Sequence, residues 1–234
     1  MKKLHQTNNH QRLIKSKILI NNELTIIHTL FPSNQTELYR TTPFQLLVAV
    51  ILSAQCTDKQ VNKVTHKLFQ IVSSPGDIIK LGEEELKNYI KSIGFFRSKA
   101  RNIMIMSGQV VGENYKGVIP RSLEELTQLA GVGIKTAKVV AHTLYGDPYI
   151  AVDTHVHRVT NRLGRVHTST PEQTSKIIEG IIFPELRSIA HHSLILFGRY
   201  HCKARKPLCE SCPLYTNCEY YRSLMKEKGS KIKN

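Results

Sequence analysis

The sequence has no apolar stretch long enough to cross a lipid bilayer. Its longest hydrophobic run extends only from Leu46 to Leu52, whereas a transmembrane helix needs about 20 apolar residues. The chain begins Met1-Lys2-Lys3, but the segment His5–Lys17 is polar and basic where a signal peptide would have its apolar core. We therefore expect a soluble protein of the cytoplasm, associated with the nucleoid if the source is bacterial, that does not bind a membrane.

Acidic residues are scarce. Asp and Glu together number 18 against 33 Lys and Arg, which gives this chain of 234 residues a formal net charge of +15. Such an excess of positive charge favours an anionic partner, and nucleic acid is the most common one. The charge alone leaves a merely basic soluble protein as the alternative.

Cysteine is nearly absent outside one short segment. Only Cys56 lies elsewhere, and we interpret it as a small buried apolar residue. The other four are separated by six, two and five residues: Cys202, Cys209, Cys212 and Cys218. Clustered cysteines in an intracellular chain indicate a metal site before disulfides. Most zinc modules use two CxxC pairs and this segment has one, but general spacing rules leave both zinc and an iron–sulfur cluster open.

The chain also lacks the strict alternation of apolar and polar residues that marks strands, whereas helical periodicity recurs along it. Thr42-Pro43 begins a helix that is apolar on nearly every face, and Asp58–Val72 is amphipathic. We therefore predict an all-α fold. Residues 1–16 offer no periodic apolar face, so we expect a disordered basic extension there. Residues 219–234 form a basic tail.

A glycine turn between two helical patterns is the most informative motif. The chain reads Leu129-Ala130-Gly131-Val132-Gly133-Ile134-Lys135-Thr136-Ala137. Gly131 and Gly133 permit backbone dihedrals that a Cβ would forbid, and they leave the N–H groups that open the next helix free to bind a phosphate. Lys135 lies in the first turn of that helix, where the positive end of the helix dipole disfavours a charged ammonium. This position suits a lysine that acts as a free amine, and the alternative is a surface contact to phosphate.

Asp153 directly precedes the helical pattern Thr154–Leu163. The ordinary role of an aspartate there is to cap the helix. The same carboxylate can also stabilise a positive charge that develops on a substrate. Lys135 and Asp153, found together after a Gly-x-Gly turn, favour catalysis over their ordinary structural roles.

With these motifs, the chain from Thr42 to Cys218 resembles the endonuclease III family of helix–hairpin–helix DNA glycosylases. The resemblance implies two helical lobes with a DNA-binding cleft between them. One lobe is a helical bundle of residues 37–147, and the other is an iron–sulfur domain made of residues 17–36 plus 148–218. It further implies a 4Fe–4S cluster on the four cysteines, and a monomer that binds double-stranded DNA containing damaged bases or abasic sites.

The resemblance implies a bifunctional enzyme of base excision repair, a DNA N-glycosylase for oxidised pyrimidines that is also an abasic-site lyase. Lys135 would capture C1′ of the sugar and form an imine with the opened ring. The imine acidifies the neighbouring 2′ hydrogen, and β-elimination then nicks the strand. Asp153 would assist deprotonation and stabilise the positive charge on the sugar.

The target base must leave the stack before it can be excised. By resemblance, Gln55 and Phe95 take the family's wedge positions, the first bonding the orphaned partner base and the second pressing into the stack. Their alternative roles are a polar residue at a helix end and a packed core aromatic, and Phe96 is the alternative wedge. Gly131 and Gly133 would contact DNA, as would three cations in the first cysteine gap: Lys203, Arg205 and Lys206.

The chain departs from the family pattern at two positions. Ala130 replaces the usual proline, which loosens the entry to the turn, and Ile134 replaces a residue that is often polar or basic. Two other functions stay open. A monofunctional adenine or mismatch-thymine glycosylase carries serine or tyrosine at the position of Lys135. A non-enzymatic helix–hairpin–helix DNA-binding protein with a zinc-stabilised tail would be colourless and would form no imine.

Overall fold

A computed structural model describes residues 2–32 and 36–231. Within these ranges the regular structure is helical and no strand occurs, so the predicted all-α class is confirmed. The chain forms two compact units. The middle unit is Thr36–Asp147, and the terminal unit combines the residues before it with those from Pro148 onward. No helix in the described part of the chain combines the length and the apolar character needed to span a membrane.

The middle unit is built around one buried helix. The helices of this unit are α2 (Pro43–Ser53), α3 (Asp58–Leu68), α4 (Pro75–Leu81), α5 (Glu83–Ile90), α6 (Phe96–Val111), α7 (Leu123–Gln128) and α8 (Ile134–Tyr145). Helix α2 begins where the sequence predicts, because the Thr42 side chain accepts a hydrogen bond from the Gln45 N–H and Pro43 occupies the first turn. Its residues from Phe44 to Leu52 are all buried, as an apolar surface on nearly every face requires, and the one polar residue among them, Gln45, bonds to the Val72 carbonyl.

The terminal unit brings together segments from both ends of the chain. Its α-helices are α1 (Lys2–Leu30), α9 (Thr154–Leu163), α10 (Pro171–Ile181), α11 (Arg187–Leu196) and α12 (Glu219–Lys231). Short 3₁₀ turns lie at Pro184–Leu186 and Tyr215–Asn217, and a π-helical turn at Phe197–His201 follows α11. Ile20, Leu24 and Ile27 form one buried stripe of α1, which packs into the same core as α9, α10 and α11.

The structure corrects the expectation for the N-terminal extension. Residues from Lys2 onward are helical rather than disordered. The packed C-terminal half of α1 provides a helical nucleus, and no Gly or Pro before Leu30 stops the helix from continuing toward the N-terminus. The basic tail forms a helix from Glu219 to Lys231, with Tyr220 and Tyr221 packed against the core. Met1 and residues 232–234 of these two predicted segments lie outside the described residues.

A buried ion pair anchors α1 within the terminal unit. The Arg165 guanidinium donates to both carboxylate oxygens of Glu23, at 2.9 and 3.0 Å, and also to the backbone carbonyl of Asn217. Burial raises the pKa of Glu23, whereas the charge and hydrogen bonds of Arg165 act in the opposite direction. The pair therefore joins α1 to the segment that leads into Cys218.

Candidate functional site

The glycine turn joins α7 to α8, as predicted, but its two glycines are needed for different reasons. Gly131 has φ of +80°, in the left-handed region, and a Cβ there would lie 2.9 Å from the Cβ of Asn102. Gly133 is the N-cap of α8 with φ of −85°, a conformation open to any residue, and a Cβ there would meet no atom within 4 Å. The expectation that both glycines supply forbidden dihedrals is therefore wrong for Gly133.

A side chain from α6 holds the entry to this turn. The Ala130 N–H donates to Gln109 Oε1 at 2.8 Å, and Gln109 Nε2 donates to the carbonyl of Gln128 at 3.1 Å. Proline has no N–H, so the family's usual residue at position 130 could not make the first of these bonds. Alanine at position 130 therefore lacks the rigid ring of proline, but its N–H makes a hydrogen bond that anchors the turn to α6.

The N-terminus of α8 is open to solvent and has no side-chain cap. Its first intrahelical bond runs from the Ala137 N–H to the Gly133 carbonyl, so the N–H groups of the preceding residues point out of the helix end. Lys135 is exposed in this first turn, and Ile134 is 58% exposed beside it. The turn therefore offers an anion-binding helix end next to a primary amine.

We expect alanine substitutions at the two glycines to have different effects on the free energy of unfolding. Gly131→Ala should lower the free energy of unfolding by about 1–3 kcal/mol, because it imposes a left-handed backbone on a residue with a Cβ and crowds Asn102. Gly133→Ala should change it by less than about 0.5 kcal/mol, since the poorer N-cap offsets the reduced entropy of the unfolded chain. Chemical denaturation of both variants measures the difference, and equal losses would contradict this assignment.

Asp153 is the N-cap of α9. Its Oδ1 atom accepts hydrogen bonds from the backbone N–H groups of His155 and Val156, both at 2.8 Å. The capping role that the sequence offers as the ordinary alternative is therefore real. Both bonds use the same oxygen, so the cap fixes the carboxylate while Oδ2 takes no part in it.

Two arginines on α9 bind the cysteine segment through its backbone. Arg158 donates to the carbonyls of Gly198 at 2.7 Å and Cys202 at 3.1 Å, and Arg162 donates to those of Lys203 at 2.7 Å and Ala204 at 3.0 Å. Burial lowers the pKa of Arg158, while Cys202 and Asp153 act in the opposite direction. These bonds tie the helix that Asp153 caps to the beginning of the cysteine segment.

The four clustered cysteines line one largely apolar cavity of the terminal unit. Phe197, Leu208, Tyr220 and Tyr221 are among its other lining residues. Burial raises the pKa of the Cys209 and Cys218 thiols and raises that of Cys212 to about 11. Such thiols are poor nucleophiles when free, but each can be deprotonated by binding a metal.

The four thiols fit the ligand set of a 4Fe–4S cluster. Such a cluster takes one thiolate at each of its four irons, and all four cysteines line this one cavity. The ligand set is therefore complete within a single short segment of the chain.

The basic residues of the first cysteine gap extend from this cavity toward solvent. Arg205 and Lys206 are exposed and Lys203 is half-buried. Lys206 has φ of +51°, and the backbone around it is held by Arg162 and by a bond from the Leu208 N–H to the His201 carbonyl. The segment therefore presents its cations from a fixed backbone, as a phosphate clamp requires.

The two predicted wedge residues lie in the middle unit and share an unusual backbone. Gln55 has φ of +55° and Phe95 has φ of +58°, although neither is glycine. Both are exposed, Phe95 at 69%, so packing does not explain these conformations. Phe95 is thus not the core aromatic that the alternative role requires. Left-handed backbone at bulky residues costs about 1–3 kcal/mol and is typical of functional sites.

The predicted site residues fall into two groups. Gly131, Gly133, Lys135, Gln55 and Phe95 belong to the middle unit, and the remaining ones belong to the terminal unit: Asp153, Lys203, Arg205, Lys206, Cys202, Cys209, Cys212 and Cys218. The residues that hold these groups in place were not predicted from the sequence: Lys99, Gln109, Arg158, Arg162 and the Glu23–Arg165 pair. One sequence signal could have identified Lys99. It lies four residues before Ile103, on the apolar stripe of the helix, and a charged residue on such a stripe indicates a buried charge with a specific partner.

Two family models match the chain. Residues 48–184 match the HhH-GPD superfamily of base excision DNA repair proteins, and residues 202–218 match the iron–sulfur binding domain of endonuclease III. Endonuclease III of Rickettsia conorii is 50% identical over 193 residues, which cover 82% of this chain and 91% of that protein. The enzyme of the same name from Escherichia coli K12 is 46% identical over 189 residues, covering 81% of this chain and 89% of that protein.

Solved structures of the same family resemble this chain over most of its length. A non-covalent endonuclease III–DNA complex is 46% identical with a TM-score of 0.84, covering 90% of this chain and 98% of that one. A trapped endonuclease III–DNA covalent intermediate has the same identity and TM-score and covers 89% of this chain and 98% of that one. The chain belongs to the endonuclease III family, within the HhH-GPD superfamily of base excision DNA repair proteins.

Proposed function

We propose that this protein is a bifunctional DNA N-glycosylase and abasic-site lyase that removes oxidised pyrimidines from double-stranded DNA. The observation that carries the proposal is the exposed amine of Lys135 in the first turn of an uncapped helix, directly after the glycine turn. A monofunctional adenine or mismatch-thymine glycosylase would have serine or tyrosine there. The solved structure of a trapped endonuclease III–DNA covalent intermediate supports a covalent bond between enzyme and DNA during the reaction.

Lys135 is the proposed nucleophile. Its amine attacks C1′ as the bond to the base breaks. The C1′–O4′ bond then breaks, which leaves O4′ as a hydroxyl group on C4′ and gives an imine between Nζ and C1′. The imine withdraws electrons from C2′, so a 2′ proton leaves and the 3′ phosphate departs as the leaving group. The open N-terminus of α8 binds a neighbouring phosphate and keeps the strand beside the amine.

Asp153 is the proposed electrostatic partner in base release. The sugar becomes cation-like as the base leaves, and a fixed carboxylate lowers the energy of that charge. Because Oδ1 is held by two backbone N–H groups, the carboxylate needs no reorganisation at that moment. Oδ2, which takes no part in the cap, can accept a proton from the attacking amine.

The 4Fe–4S cluster is a structural cofactor in this proposal, held by Cys202, Cys209, Cys212 and Cys218. When bound, it crosslinks the segment through four metal–thiolate bonds and fixes its backbone. Arg158 and Arg162 bind that backbone from α9, and the cations Lys203, Arg205 and Lys206 clamp DNA phosphates from it. Gln55 and Phe95 fill the space that the flipped base leaves.

DNA is the partner that the family and the charge of +15 support. We propose that the protein acts as a monomer on duplexes with damaged bases or abasic sites, and that it works in the cytoplasm, on the nucleoid if the source is bacterial. Its basic surface makes binding strongly dependent on salt concentration, since each neutralised phosphate releases counterions.

A set of duplexes of one sequence tests this function. Each carries a single thymine glycol, uracil, 8-oxoguanine, mismatched thymine or abasic site, and an undamaged duplex is the control. We expect rapid release of thymine glycol with a nick that forms without alkali, and nicking of the abasic duplex. Release of uracil or mismatched thymine alone, with strand scission only after alkali, would instead establish the monofunctional alternative.

A further inference from the structure

Lys99 is a buried lysine whose side chain ends at the C-terminus of another helix. It is only 7% exposed, although it lies in the first two turns of α6. Its ammonium donates to the carbonyl of Leu52 at 2.9 Å and to that of Ala54 at 2.6 Å, both at the end of α2. A cation at this end of a helix satisfies carbonyls that have no intrahelical partner.

These bonds hold the peptide group that leads into Gln55. The Ala54 carbonyl belongs to the same peptide plane as the Gln55 N–H, so fixing the carbonyl fixes the plane about which Gln55 takes its left-handed φ. The Cys56 N–H also donates to the Ser53 carbonyl at 3.0 Å, whereas the Ala54 N–H makes only a long bond of 3.4 Å to the Ile51 carbonyl. Neither of these bonds engages the Ala54 carbonyl, which is held by Lys99. The side chain of Lys99 therefore constrains the conformation of one predicted wedge residue.

The backbone of Lys99 holds the other wedge residue. Its N–H donates to the carbonyl of Phe95 at 3.0 Å, which closes the first turn of α6 on a left-handed N-cap. The two segments are also adjacent, because a Cβ on Gly94 would lie 4.0 Å from the backbone oxygen of Gln55. One residue thus bonds to the peptide groups of both Gln55 and Phe95.

We propose that Lys99 is a positioning residue for the DNA wedge formed by Gln55 and Phe95. The inference rests on the proposed function, because it takes the wedge as the device that holds the damaged base out of the duplex. Both wedge residues have a strained backbone and exposed side chains, so neither is held by packing. The Lys99 side chain supplies the restraint that packing does not at the peptide leading into Gln55, and the backbone of the same residue closes the turn that begins at Phe95.

Lys99→Met tests this role, because methionine fills similar space but donates no hydrogen bond. The matched control is Arg101→Met, which removes an exposed cation from the same helix. One substrate is a thymine glycol duplex, in which a base must be flipped. The other is a single-stranded oligonucleotide with an abasic site, which has no base to flip and no partner base to fill.

We expect Lys99→Met to slow single-turnover base release from the duplex by roughly tenfold to a hundredfold, the range typical of misplaced positioning groups. Nicking of the single-stranded abasic site should stay within about twofold of the wild type, because that step needs no wedge. 2-Aminopurine placed opposite the lesion should gain less fluorescence with Lys99→Met than with wild type. Arg101→Met should lower both activities together and only through weaker binding.

Two results would overturn the role of Lys99. One is an equal loss on both substrates, which would indicate a general structural effect, and the other is unchanged base release from the duplex. If Lys99→Met does not fold, Lys99→Gln is the second variant, because it keeps one hydrogen-bond donor group. It should also slow base release from the duplex more than nicking of the single-stranded abasic site, by a smaller factor. A wild-type protein that releases no base from any duplex would instead overturn the proposed function itself.

Discussion

Lys135→Gln should abolish covalent trapping of the protein on abasic-site DNA by borohydride. Borohydride reduces an imine to a stable secondary amine, so only a protein whose amine has captured C1′ is retained on the DNA. Glutamine keeps the length and polarity of the side chain but cannot form the imine. We expect trapping and strand nicking to fall by roughly a thousandfold or more, as for removal of other enzymatic nucleophiles. Denaturing gels with labelled DNA measure both products.

The structure supplies a matched control on the same helix. Lys138 lies three residues beyond Lys135 on α8, and Lys138→Gln removes the same charge from the same element. This variant should be trapped at close to the wild-type level, with at most weaker binding at high salt. Lys135 is exposed, so Lys135→Gln should change neither the thermal unfolding midpoint nor the visible absorbance of the cluster. Trapping of Lys135→Gln at the wild-type level would remove this lysine from the nucleophilic role.

Local sequence signals predicted the elements that carry the site. Thr42 with Pro43 marks the first residue of α2, because a hydroxyl cap and a proline act within one turn. The helical pattern that follows Asp153 coincides with α9 for an equally local reason. The spacing of the four cysteines likewise falls within one short segment, and all four line one cavity.

Contacts between distant parts of the sequence were not predictable. Lys99 bonds to carbonyls 45 and 47 residues away, and Arg165 bonds to Glu23 across 142 residues. No periodicity encodes such partners, and a buried charge looks like a solvated one until its partner is placed. The ordinary backbone of Gly133 was not predictable for a related reason. The sequence shows that a glycine has no Cβ, but only the folded backbone shows whether its dihedrals and surroundings would accept one.

Asp153→Asn should abolish base release while leaving the protein as stable as the wild type. Asparagine caps helices about as well as aspartate, and its carbonyl oxygen can accept from the His155 and Val156 N–H groups as Oδ1 does. The substitution therefore removes the negative charge and keeps the hydrogen bonds. We expect single-turnover release of a damaged base to fall by at least about a hundredfold, the loss typical of an electrostatic group in a transition state.

Asp153→Ala provides the comparison that separates charge from capping. It should lose base release to a similar extent and should also lower the free energy of unfolding by about 1 kcal/mol, because the two N–H groups lose their acceptor. Nicking of a preformed abasic site should fall less than base release in both variants, since the bond to the base is already broken in that substrate. Denaturant unfolding and single-turnover assays on the same preparations give both quantities. Base release by Asp153→Asn at the wild-type rate would mean that the Asp153 carboxylate only caps α9.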